Sequence, residues 1–102
     1  MYRASDRIEH DEWLSDIEAA ADRLNLGTAA RSHAVDLFLS TVPEEDRSKQ
    51  ATMAASVYVA ALVAGEERSQ SAVAEATDVS RLTIQQRWKD LLETAGLEAP
   101  GW

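Results

Sequence analysis

The segment of residues 49–64 constrains the fold more than any other part of the chain, because it has almost no polar face. Alanine, valine, leucine, methionine and tyrosine fill most of its positions. A helix that is apolar on all sides belongs at the centre of a helical bundle. Its many alanines would also let neighbouring helices approach closely. We therefore predict a buried central helix that Gly65 ends.

Four further helices are predicted around this segment, over about residues 10–24, 28–42, 69–77 and 80–95. Their apolar residues recur at spacings of three and four, and no alternating run of β-branched residues is long enough for a strand. The predicted fold is one all-α domain over residues 1–102, a five-helix bundle with an irregular tail.

Residues at the helix ends fit these boundaries. We expect Gly27 to take a left-handed conformation after the first helix and Thr28 to cap the second. Ser69 or Ser71 would begin the fourth helix, and Ser80 would cap the fifth.

The last two predicted helices are joined by only Asp78 and Val79. The second of them carries a regular apolar stripe, and Val79 would fill the corner between the two. This pattern is typical of a helix-turn-helix, which we predict over residues 69–95, and the second helix of such a motif enters the DNA major groove. The stripe consists of Ile84, Trp88, Leu91 and Leu92.

The other side of the fifth helix is polar and basic. Arg81, Gln85 and Lys89 are spaced four apart with Gln86 beside them, and the stretch from Ser80 to Lys89 has three positive charges and no acid. Arginine can pair with guanine, glutamine with adenine, and lysine with phosphate. The candidate DNA-binding residues are Ser80, Arg81, Thr83, Gln85, Gln86, Arg87 and Lys89.

A solvated helix face is the alternative interpretation of this stretch. In it, Arg87 and Lys89 pair with Asp90 and Glu93 and contribute to solubility alone. Arg87 also lies close to the apolar stripe, so it serves either a phosphate or the fold.

The net charge of −8 would ordinarily argue against nucleic acid. However, 18 acids stand against eight arginines and only two lysines, and alanine is the commonest residue. Such a composition resembles that of proteins from salt-loving archaea, where the Debye length is about 3 Å or less and net charge says little about partners. We expect a halophilic origin.

Several classes of site are not expected. The chain has no cysteine, which removes disulfides, thiolate metal sites and cysteine nucleophiles and fits a cytoplasmic protein. The groups His10-Asp11-Glu12, His33 with Asp36, and Glu44-Glu45-Asp46 lack metal-ligand spacing. We predict no catalytic, cofactor or metal residue, no enzyme activity, and no membrane span, since the apolar stretch is too short.

Four stretches of the sequence resemble one cyclin-like repeat of archaeal transcription factor B, the relative of eukaryotic transcription factor IIB. Residues 51–61 are similar to the family's "AAAxLYxA" central helix, and residues 69–80 to its "TQxEVAEVxxVS". Residues 83–91 are similar to "TIRNRYKEL", and residues 21–26 to the end of its first helix. The resemblance covers about residues 8–97 and implies an all-α cyclin-like fold.

The resemblance also implies promoter DNA, the TATA-binding protein and RNA polymerase as partners. In this family the helix-turn-helix of the second repeat contacts a promoter element beside the TATA box. Arg87 and Lys89 match the family pattern, whereas Gln85 replaces its usual arginine and Gln86 an asparagine. Complete members have a zinc ribbon, a linker and two repeats, so we expect a stand-alone regulator or a paralogue fragment.

A protein-interaction module without DNA binding is the second hypothesis. Cyclin-like repeats also bind proteins through the groove beside the central helix, and here the partner would be the TATA-binding protein, polymerase or another regulator. Residues 1–50 hold eleven acids and six basic residues, a net charge of −5, which would suit a basic partner. Neither the oligomeric state nor the role of Trp102 follows from the sequence.

Overall fold

The computed structural model of the chain describes residues 11–41, 46–94 and 96. Within them the chain forms five helices: α1 (Asp11–Arg23), α2 (Thr28–Thr41), α3 (Asp46–Val63), α4 (Gln70–Thr77) and α5 (Arg81–Thr94). The predicted all-α class is confirmed, and the arrangement is consistent with a cyclin-like repeat. The predictions for His10, the Glu44-Glu45 pair, Ala95 and Trp102 fall outside the described residues.

Helix α3 lies at the centre of the bundle, as its apolar sequence predicts. Every residue from position 51 to position 62 is buried, and α3 packs against each of the other four helices, most extensively against α2 and α5. The close approach depends on small side chains, because a larger residue at these positions would need space that a packed interior lacks. The fully buried alanines of α3 are Ala54, Ala55, Ala60 and Ala61.

The two ends of α3 compare differently with the prediction. The helix begins at Asp46, about three residues before the expected start. It ends where expected, because Gly65 takes a left-handed φ of 78°. The backbone N–H of Glu66 then donates to the carbonyl of Ala61 at 2.8 Å, which satisfies one of the last carbonyls of the helix.

The left-handed residue after α1 is Asn25, with φ of 56°, and the expectation that Gly27 takes this conformation is wrong. The N–H of Leu26 donates to the carbonyl of Ala21 at 2.9 Å, which completes the bonding pattern of a left-handed helix end. Asparagine tolerates this conformation, and the buried Leu26 fixes the path of the chain behind it.

Gly27 has a different role, at the start of α2. Its carbonyl accepts from the N–H of Arg31 at 3.2 Å, so Gly27 occupies the cap position that we expected for Thr28. Its own N–H donates to Oε1 of Glu66 at 2.9 Å. A Cβ at this position would lie 3.1 Å from Oε2 of Glu66, so the close approach of that carboxylate favours glycine.

Two arginines fix α4 against the C-terminal end of α1. Nη1 of Arg23 donates to the carbonyl of Ala76 at 2.8 Å, near the end of α4. Arg68, just before α4, donates from Nε to the carbonyl of Leu24 at 2.9 Å and from Nη2 to that of Asn25 at 3.3 Å. Helix α4 is therefore held by charged hydrogen bonds to a part of the chain more than forty residues away.

Candidate nucleic-acid interface

Helix α5 divides cleanly into a buried and an exposed side. The predicted apolar stripe is confirmed, since Ile84, Trp88, Leu91 and Leu92 are all buried. Tyr58 of α3 packs edge-on against Trp88, with the ring centroids 5.5 Å apart and the planes at 67°. This contact fixes the rotation of α5 about its axis and so determines which side chains point outward.

The N-terminal end of α5 is capped by Ser80, as predicted. The Oγ of Ser80 accepts from the N–H of Thr83 at 3.2 Å, and its carbonyl accepts from the N–H of Ile84 at 3.2 Å. The hydroxyls of Ser80 and Thr83 also share a hydrogen bond of 2.8 Å. Both hydroxyls therefore stabilise the start of the helix, and a phosphate at this end would compete with that bond.

The turn before α5 uses a left-handed residue that is not glycine. Asp78 has φ of 59° and ψ of 34°, and its N–H donates to the carbonyl of Ala74. The N–H of Val79 donates to the same carbonyl at 3.3 Å, and Val79 packs against the core. Aspartate can adopt this conformation, so the tight connection forms without the glycine that many such motifs have.

Four of the predicted DNA-binding residues lie together on the exposed side of α5. Arg81, Gln85, Gln86 and Lys89 are all exposed. Leu82 lies among them with 60% of its surface exposed, and it is the one large hydrophobic residue of the described part that is so exposed. Sequence reasoning missed Leu82, although its position outside the buried stripe could have shown it. We call these five residues the outer face.

Lys89 lies over the ring of its neighbour Trp88. Its Nζ lies 5.6 Å from the centroid of the Trp88 ring, within the range of a cation–π interaction. Trp88 itself packs on Tyr58, so the ring that Lys89 contacts belongs to the core of the bundle.

Arg87 lies apart from the outer face. At about 100° per residue, it is about 160° around the helix axis from Gln85. It lines a cleft of about 170 Å³ with Thr41 of α2 and Thr52 of α3, so it faces the body of the bundle. Of the seven predicted residues, the structure thus brings four together on the outer face, places Ser80 and Thr83 at the helix end, and separates Arg87.

Helix α5 contains two acidic residues, Asp90 and Glu93, beside its three basic ones. Neither Arg87 nor Lys89 forms an ion pair with Asp90 or Glu93 among the residues that the structure describes. Those are the pairs that the solvated-face interpretation names.

Other kinds of site find no support within residues 11–41, 46–94 and 96. No group of three or more histidines and carboxylates there is placed to hold a metal. His33 is exposed on α2, and His10 lies outside these residues. None of the described helices is both long and apolar enough to cross a membrane.

Comparison with known proteins gives a consistent result. Residues 13–94 match the family model "Transcription factor TFIIB repeat". The chain is 32% identical over 83 residues to transcription initiation factor IIB of Pyrococcus abyssi, which covers 78% of this chain and 28% of that protein. It is 33% identical over 78 residues to the factor of Methanoculleus marisnigri, covering 74% of this chain and 23% of that protein.

One shorter match has a higher sequence identity. Over 47 residues, 46% of this chain, the identity to transcription initiation factor IIB 2 of Thermococcus kodakarensis is 43%, covering 15% of that protein. The chain therefore spans less than a third of the length of each of these three relatives.

Proposed function

The chain belongs to the transcription factor TFIIB repeat family, and from this we propose that it is a transcription-associated domain that binds double-stranded DNA through α5. Residues 1–102 would form one such domain, with α4 and α5 acting as its helix-turn-helix. The observation that carries the proposal is the outer face, where Arg81 and Lys89 flank two glutamines with no acid between them.

The outer face has the chemistry that base recognition requires. Arg81 and Gln85 share one flank of the helix, and arginine and glutamine make the bidentate contacts that distinguish guanine and adenine in the major groove. Leu82 offers an apolar surface for a thymine methyl group. Lys89, held over Trp88, would pair with a phosphate and set the orientation of the helix.

The glutamines of the outer face bear on which bases this chain would prefer. Gln85 replaces the family's usual arginine, so we propose that the preferred base at its contact is adenine in place of guanine. The promoter sequence bound by this chain would then differ from that bound by relatives with the arginine.

A mobility-shift assay tests the proposal. With a duplex that contains an A·T-rich TATA-like element and its flanks, the Arg81→Ala/Lys89→Ala variant should bind at least about tenfold more weakly than the wild type at matched salt. Far-ultraviolet circular dichroism should show unchanged helicity, because both side chains are exposed.

The matched control removes the same charge elsewhere. Lys49→Gln/Arg87→Gln also loses two positive charges, but neither residue is on the outer face. It should retain most of the binding. Equal binding by wild type and by the outer-face variant, or equal loss in both variants, would contradict the proposal.

Protein partners are part of the same proposal. The relatives are transcription initiation factors, which supports association with the TATA-binding protein or RNA polymerase and a role that is not enzymatic. In an NMR titration with duplex DNA, the shifts should be confined to residues 69–90. Absence of shifts with DNA, together with shifts on addition of TATA-binding protein, would favour a protein-interaction module. A role on archaeal chromosomal DNA would place the chain in the cytoplasm.

The acidic composition supports a further part of the proposal, a surface adapted to high salt. Eighteen acids and only two lysines keep the molecule strongly negative. At molar salt that charge is screened within about 3 Å, so it would not prevent α5 from approaching DNA.

A further inference from the structure

Helices α1 and α2 leave an open groove of about 530 Å³ on the surface of the bundle. Its lining combines two kinds of side chain, and we call it the acidic groove. Leu14, Ala19 and Val35 are partly or largely buried and supply its apolar surface, whereas Asp11, Glu18 and Asp22 are exposed and supply its charge.

The carboxylates follow one side of α1. Asp11, Ser15, Glu18 and Asp22 are spaced four, three and four residues apart, the spacing of neighbours on one helix face. At 1.5 Å per residue this stripe is about 16 Å long. The groove therefore matches an extended or helical segment of several residues better than a small ion.

One end of the groove already holds a guanidinium group. Nη1 of Arg31 lies 3.0 Å from Oε2 of Glu18 and 2.7 Å from Oδ1 of Asp22, while Nε donates to the carbonyl of Leu26 at 3.0 Å. The hydrogen bonds to Asp22 and then Glu18 raise the pKa of Arg31. Asp11 has no ion pair within the described residues, so three carboxylates and one guanidinium leave two negative charges without a counterpart there.

We propose that the acidic groove binds a basic segment of a partner protein. Lysine and arginine side chains would lay their methylene groups on Leu14, Ala19 and Val35 and direct their charged ends to the carboxylates of α1. DNA does not fit this site, because its phosphates would face carboxylates with the same sign of charge. An uncharged apolar segment would offer no positive charge to the carboxylates of the acidic groove.

The electrostatic surroundings would guide such a partner to α1. A second depression, of about 410 Å³, lies on the neighbouring face of this helix, and its lining includes the acids Asp16, Glu75 and Asp78 together with Arg23. Helix α1 alone carries five acids against one arginine, Arg23. Because acids outnumber arginines here, the charge of α1 would raise the encounter rate with a basic segment. The proposed groove does not depend on DNA binding by α5.

The test uses the full chain and a defined probe. The probe is a short fluorescein-labelled peptide with arginine at every third or fourth position and leucine between, and fluorescence anisotropy measures its binding at about 0.15 M salt. Ser15→Arg places a positive side chain in the groove without touching the core. It should weaken binding by at least about tenfold, while its thermal unfolding stays close to that of the wild type.

Two double variants distinguish binding in the acidic groove from attraction to the overall negative charge of the protein. Asp11→Asn/Glu18→Gln removes two groove carboxylates, and Glu12→Gln/Glu67→Gln removes two exposed carboxylates outside it, with one first-turn acid of α1 in each pair. We expect about tenfold weaker binding in the first and less than about twofold in the second. A peptide that wild type does not bind, equal losses in both pairs, or full binding by Ser15→Arg would each overturn the proposal.

Sedimentation equilibrium addresses the remaining occupant, a second copy of this chain. The wild type should sediment as a monomer at the concentrations of the binding assay. A wild-type dimer that dissociates in the Ser15→Arg variant would place a second copy of this chain in the groove and overturn the assignment to a partner protein.

Discussion

Leu82 exposes 60% of its surface while the other large hydrophobic side chains of the described residues are buried or partly buried. A single exposed leucine is common on protein surfaces. Here it stands between Arg81 and the glutamines of α5, on the outer face. Apolar contact with a thymine methyl is one of the ways in which proteins distinguish bases in the major groove.

A substitution of Leu82 should affect DNA binding much more than the stability of the fold. Leu82→Ser should alter the free energy of unfolding by no more than about 0.5 kcal/mol, because the side chain is mostly in water. DNA affinity should fall about fivefold, because a partly buried leucine in the complex contributes about 1 kcal/mol. Urea unfolding and the mobility-shift assay measure the two quantities. A loss of stability above about 1 kcal/mol would show that Leu82 belongs to the fold.

Helix α3 contains one polar residue that the interior does not accommodate. Ser56 is fully buried, and its Oγ has no hydrogen-bond partner among the described residues. An unsatisfied buried hydroxyl costs about 1–3 kcal/mol, and alanine is also the better helix former. Ser56→Ala should therefore raise the free energy of unfolding by about 1 kcal/mol and the melting temperature by about 4–8 °C.

Thermal unfolding followed by circular dichroism checks this prediction. Ser71→Ala is the matched control, because Ser71 is exposed in the first turn of α4 and gains only the difference in helix propensity. If Ser56→Ala melts at or below the wild-type temperature, the hydroxyl has a partner that stabilises the helix.

At the scale of helices, the spacing of apolar residues was sufficient to predict which side of a helix is buried. The buried stripe of α5 and the all-apolar α3 followed from spacing alone, since water defines which side must be covered. The turn after α1 did not follow, because asparagine and glycine both permit a left-handed residue. Glu66, thirty-nine residues away, binds the N–H of Gly27 and decides between them.

The candidate site could also be predicted only in part from the sequence. Helical spacing placed Arg81, Gln85 and Lys89 on one side of α5, but it did not show that Lys89 lies over Trp88. Spacing also separates Arg87 from Gln85 and Lys89 around the helix axis, but it does not show that Arg87 faces a cleft with Thr41 and Thr52. The Tyr58–Trp88 contact and the cleft beside Arg87 join distant parts of the chain and leave no local pattern in the sequence.

The whole molecule carries a net charge of −8, and much of it lies on α1. Repulsion among these carboxylates opposes the compact state at low ionic strength and is screened as salt is added. The melting temperature should therefore rise between low salt and molar potassium chloride. Asp11→Asn/Glu18→Gln should show a smaller rise, and a melting temperature that falls or stays constant with salt would contradict the proposed adaptation to high salt.

Because α4 and α5 depend on contacts with the rest of the bundle, we do not expect the two helices to fold on their own. Arg23 and Arg68 hold α4 to the end of α1, and Tyr58 of α3 sets the rotation of α5. With 8 and 14 residues, these helices are near or below the length at which an isolated helix persists in water. A synthetic peptide of residues 69–95 should show little helical circular dichroism and no measurable DNA binding. Recognition by this chain would therefore have evolved by changing side chains on a fixed scaffold, and could not be transplanted with the two helices alone.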